Sequence, residues 1–175
     1  MLWKRNVRSS VFKMVEDALQ NPGAEYIAAG IPEYNVYQEA AFTDQDFAVV
    51  IPFIFLVDYG VSIALTRLPC VIVDIESHTS TVYELGNQAR AKTHNVTLYV
   101  YGRDRGERDD IVSFLAEVLN SIDVYDFSSD VPNLVETVSF DDDVVVKDVY
   151  DPALAVEGTA RHVSTLGFSF TTLSI

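Results

Sequence analysis

Cysteine is nearly absent: 175 residues contain one, Cys70. No disulfide can close within the chain, and a reducing compartment is the expected setting. Cys70 lies in the apolar run Pro69-Cys70-Val71-Ile72-Val73, where a lone thiol reads as inert core rather than a nucleophile. Long hydrophobic runs are also missing. The greasiest, Phe47–Val57, is broken by Pro52 and reaches about half of the roughly 20 residues a spanning helix needs. Ser9, Ser10, Lys13 and Glu16 interrupt any apolar stretch near the N-terminus, so it does not read as a signal peptide. A soluble chain that stays off membranes is expected.

Catalytic patterns are scarce as well. The three histidines, His78, His94 and His162, fall in separate segments without metal-ligand spacing. They make a metal or catalytic cluster only if the fold gathers them. Gly86, Gly102 and Gly106 stand alone, so there is no glycine-rich phosphate loop and no Gly-x-Ser-x-Gly elbow. No pair of carboxylates is singled out for acid–base work. The expectation is a protein that is not an enzyme and carries no metal or cofactor.

Positive charge is thin: 12 Lys and Arg against 26 Asp and Glu, a net charge of −14. Residues 14–66 hold no Lys or Arg at all, and residues 126–151 hold only Lys147. Such a surface repels phosphate, which argues against tight nucleic-acid binding. It would suit a wall that DNA slides past without sticking. Against this background Arg103, Arg105 and Arg108 are notable. One reading is a solvated turn with weak local ion pairs. The sharper reading is a subunit contact in which these arginines meet an acidic patch of a neighbour, with Asp141, Asp142 and Asp143 as its counterpart; unlike surfaces repeated about an axis close a ring. Asp141-Asp142-Asp143 lacks the spaced ligands and central glycine of a calcium loop, so a solvated turn is its plainer reading.

Hydrophobic residues at 49% and charged residues at 22% describe a globular chain, and its length fits a single domain over 1–175. Ser9 or Ser10 can cap a helix over about 10–20, with Phe12, Val15, Ala18 and Leu19 on one face. Residues 24–46 show no clean period and read as a long loop. Residues 47–57 read as a strand, with 47–66 as a candidate hairpin. The unit 68–127 holds strands from Pro69 to Glu76 and from Val96 to Tyr101, then a helix over 107–121. Ile111, Phe114, Leu115, Val118, Leu119 and Ile122 form that helix's buried stripe. Leu134–Phe140 and Val144–Val149 flank the three aspartates and read as a β-hairpin over about 134–149. Residues 161–173 alternate strictly and should complete the sheet beside 94–102. The class is α/β or α+β: a mixed or antiparallel sheet flanked by two main helices.

Several of these stretches together resemble the tail-terminator and tail-completion proteins of tailed bacteriophages. They are Pro69-Cys70-Val71-Ile72-Val73, Tyr83-Glu84-Leu85-Gly86-Asn87, Val96–Tyr101, Gly106-Glu107-Arg108-Asp109-Asp110, Ile122-Asp123-Val124-Tyr125-Asp126-Phe127 and the closing Arg161-His162-Val163-Ser164-Thr165. The resemblance implies a virion structural protein of the neck or tail, assembled in the host cytoplasm. Its subunits would form a hexameric ring that caps the tail tube and joins it to the neck. The implied partners are the tail-tube protein, the sheath protein in contractile tails, and the neck or connector proteins, with DNA passing through the lumen. A stopper or head–tail adaptor is the sibling reading. A cytosolic enzyme or small-ligand-binding domain, with a pocket under 24–46, is the reading from a different class.

Overall fold

The computed structural model describes residues 4–20, 53–56, 69–82, 90–102, 104–129, 131–149 and 162–174. In chain order they form α1 (Lys4–Gln20), β1 (Phe53–Leu56), β2 (Cys70–Val82), β3 (Arg90–Gly102), α2 (Arg105–Val118), β4 (Ser121–Asp126), β5 (Asn133–Ser139), β6 (Val145–Val149) and β7 (His162–Ser174). The class is α+β, as the sequence suggests. Five strands make one sheet in the order β1-β2-β3-β7-β6, and β4 and β5 make a second, two-stranded sheet. Within the large sheet only β1 is parallel to its neighbour.

The expected C-terminal strand does lie beside β3, with Leu98 opposite Leu166 and Val96 opposite Phe168. Because strand side chains alternate, this register sorts the sheet into two faces. Val71, Val73, Ile75, Val96, Leu98, Val100, Leu166, Phe168 and Phe170 share one face and are all buried. The helices cover it. α1 contributes Val7, Val11, Val15 and Leu19, one residue every fourth position; α2 contributes Ile111, Phe114 and Leu115. Each such side chain taken from water contributes about 1.5–3 kcal/mol before entropy is counted. The other face is closed at one end, where the neighbouring residues Cys70, Tyr101 and Val163 are buried.

Helix α1 starts earlier than a serine cap would place it. Ser10 is buried in mid-helix, donates to the Asn6 carbonyl at 2.8 Å, and accepts from the Tyr125 backbone N–H at 2.9 Å. A hydroxyl bonded back to the i−4 carbonyl is satisfied inside the helix, at a small cost to the helix itself. Here it also ties α1 to β4. Phe12 and Ala18 from the expected face are only partly buried, at its margin.

The expected hairpin over 134–149 does not form. β5 pairs antiparallel with β4, whereas β6 pairs antiparallel with β7, so the two strands belong to different sheets. Residues 140–144 cross between them, held by Phe140 N–H to the Asn120 carbonyl at 3.1 Å and Asp141 N–H to the Ser169 carbonyl at 2.8 Å. Alternation identifies a strand but not its partner. Val138 reaches the core beside Ile122, and Val146 lies next to Leu166. Of the expected 47–57 strand, 53–56 is β1; the remainder of 47–66 and the 24–46 loop lie outside the described residues.

Candidate functional site

The β3–α2 corner carries the arginine cluster. Asp104 caps α2, accepting the Glu107 N–H on Oδ1 at 2.9 Å. The carboxylate satisfies a donor that has no partner within the helix. Arg105 projects outward with its side chain 73% exposed, 3.5 Å from Asp109 of the same helix. Arg108 does the reverse. Its side chain is 7% exposed, with Nε donating to Asp109 Oδ1 at 2.9 Å, Nη1 to the Val163 carbonyl at 3.5 Å, and Nη2 lying 3.5 Å from Asp148 Oδ1. Arg108 therefore fastens α2 to β6 and β7 within the subunit. Arg103 lies outside the described residues.

Asp148 also accepts from Ser164 Oγ at 2.6 Å. That hydrogen bond first, and the Arg108 charge second, hold its pKa below the ordinary 3.8. Asp126 is lowered too, chiefly by the Ser128 backbone N–H, with Asn6 of α1 also donating to it. A carboxylate with a depressed folded pKa binds its proton less readily folded than unfolded. Its stabilisation is complete above 3.8 and is lost as pH falls through the folded value. Acid titration followed by circular dichroism should show Asp148→Asn less stable than wild type at pH 7, with the gap closing at a pH well below 3.8. An equal gap at both pH values would exclude this role.

The three aspartates separate in function. Asp141 covers the edge of β7 beyond the end of β6: its N–H bonds Ser169, and its Oδ2 accepts from Thr171 Oγ1 at 2.9 Å. Asp142 and Asp143 are exposed. Together with Asp141, Glu117, Asn120 and Phe140 they line an open recess of about 640 Å³ at the C-terminal end of α2. Arg105 stands at the other end of that helix, about 20 Å away by the 1.5 Å rise per residue. The fold keeps the exposed arginine and the acidic recess apart within one subunit.

His94 is buried, with Nε2 3.0 Å from Thr172 Oγ1 and its ring 5.1 Å from Phe170. The register sets His78 opposite His94 and His162 opposite Gly102, at the far end of β3. Cys70 is buried. Among the described residues, no group of three or more His, Cys, Asp or Glu is arranged to hold a metal ion, and no helix is long and apolar enough to cross a membrane.

Two strand edges were not singled out by sequence reasoning. β6 ends the large sheet with Val145, Val146 and Val149 exposed, and β5 ends the small one with Leu134 and Val135 exposed. The valine content was visible beforehand. That these are outer strands depends on pairing, which composition does not carry. No protein-family model matches the chain, and no curated protein matches it.

Proposed function

We propose that this chain is a virion structural protein of a bacteriophage neck or tail, a tail terminator whose subunits join into a ring capping the tail tube. The observation that carries the reading is the pair of outer strands, β5 and β6, that expose aliphatic side chains at 39–56%. Exposed edges of this kind recruit further strands, and proteins that remain monomeric blunt them. The resemblance over 68–127 supplies the kind of assembly, and the sheet with two helices suits such a subunit. The charge of −14 fits a lumen through which DNA moves without being held.

Light scattering and negative-stain imaging of the purified protein, alone and mixed with the tail-tube protein, test the reading. Rings with a central opening, free or seated on tube ends, are expected. A chain that stays monomeric at high concentration and leaves tube length unchanged would remove it.

A further inference from the structure

Two of the outer strands, β5 and β6, are matched to each other rather than to themselves. β6 spans 145–149, so its central residue is Lys147; β5 spans 133–139, so its central residue is Glu136. If two copies of β6 pair antiparallel over their full length, Lys147 faces its own copy. If two copies of β5 do so, Glu136 faces Glu136. Like charges directly opposite each other oppose both pairings. Setting β5 against β6, centre to centre and antiparallel, places Glu136 opposite Lys147. The same register brings Leu134 opposite Val149 and Val138 opposite Val145.

We propose that β5 of one subunit pairs with β6 of the next, joining the two-stranded sheet of one copy to the five-stranded sheet of its neighbour through a Glu136–Lys147 contact. The occupant of each edge is thus a second copy of this chain. The inference rests on the reading of the chain as an assembling subunit and names the surfaces by which it assembles.

Within one copy the Glu136 carboxylate is turned inward and only partly satisfied, so meeting Lys147 requires it to swing out to the strand edge. Its Oε1 is buried and has no hydrogen-bond partner within the subunit. Burial raises its pKa, only partly offset by a hydrogen bond from the Leu173 backbone. Lys147 is exposed at the centre of β6. A lone lysine on an outer strand guards it against its own copy. A glutamate at the centre of the other outer strand turns that guard into a choice of partner, because it penalises like edges and favours unlike ones. The contact uses different surfaces on its two sides, so it propagates, and closes a ring when the rotation per subunit allows.

The test is charge exchange. Lys147→Glu alone sets two acids against each other, and Glu136→Lys alone sets two lysines. Each should raise the concentration needed for assembly by about tenfold or more. Mixing the two variants makes every contact between unlike copies complementary, so assembly should return in the mixture alone. Sedimentation velocity reads all three samples, and circular dichroism checks that each variant is folded. Should Glu136→Lys not fold, hydrogen exchange on the wild-type chain decides instead: amides in 133–139 and 145–149 should gain protection on assembly.

Wild-type assembly by Lys147→Glu, unchanged exchange in both strands, or folded variants that stay apart when mixed would each overturn the pairing. The ring reading would survive those results if the wild type still forms rings. A closed dimer with the same charge dependence would keep the pairing and overturn the ring. A wild type that never assembles removes both.

Discussion

Phe170→Ala should destabilise the chain by about 3–5 kcal/mol, read as a lower urea midpoint without a change in slope. Among the described residues Phe170 is the largest side chain with no exposure, and it lies on β7 in the face covered by the helices. The loss begins with the transfer of a phenyl ring from core to nothing. A cavity follows, because the surrounding strands are fixed by a long ladder from Arg90–Ser174 to Gly102–His162 and cannot close around the gap. The buried His94 adds to the cost. Its ring lies 5.1 Å from that of Phe170, and its Nε2 bonds Thr172 two residues further along the same strand. Water admitted to the cavity competes for that hydrogen bond. Phe170→Leu keeps most of the volume and should cost much less, about 1–2 kcal/mol. If alanine and leucine cost the same, the ring is not packed as described.

That core was legible where periodicity and burial coincide. Ile111, Phe114, Leu115 and Leu119 form the expected stripe and are buried, and the strict alternation after 161 marks the strand that contains Phe170. Boundaries were less legible. Ile122 continues the spacing of the helical stripe, but it is a buried residue of β4, since Leu119 already leaves helical geometry at φ −84° and ψ 107°. One apolar side chain fits both periods, so spacing alone does not end the helix. Asp104-Arg105-Gly106-Glu107 carries a capping spacing, and the structure uses Asp104 in that role.

The candidate site was legible as residue types and not as roles. Three arginines look alike in sequence, yet Arg108 holds α2 to the edge of the sheet while Arg105 stays in solvent. Three adjacent aspartates look alike and all line the recess, yet Asp141 also covers the edge of β7. These differences follow from long-range pairing, which sets β6 beside β7 and carries 140–144 across the end of β6. The match between Glu136 and Lys147 has the same origin. Each is the middle residue of its strand, and a middle exists only once both ends and the neighbour are known.

Gly102→Ala tests the corner on which this arrangement turns and should cost about 3 kcal/mol. A Cβ at Gly102 would lie 2.6 Å from the Asp104 carbonyl oxygen, 2.7 Å from the Arg108 nitrogen and 2.8 Å from the Arg108 Cβ. Two of these are backbone atoms joined to each other by the first hydrogen bond of α2, Arg108 N–H to the Asp104 carbonyl at 3.2 Å. Neither can step aside without opening that turn. Relief therefore means moving the start of α2 away from β3, which draws Arg108 away from Val163 and Asp148. Gly106 is the control. Its added Cβ would meet only Asp104 Oδ1, at 3.3 Å, and alanine suits a helix better than glycine by up to about 1 kcal/mol. Gly106→Ala should thus be neutral or mildly stabilising in thermal unfolding while Gly102→Ala unfolds at a markedly lower temperature. Equal effects at the two glycines would mean that the close approach at Gly102 does not hold in solution.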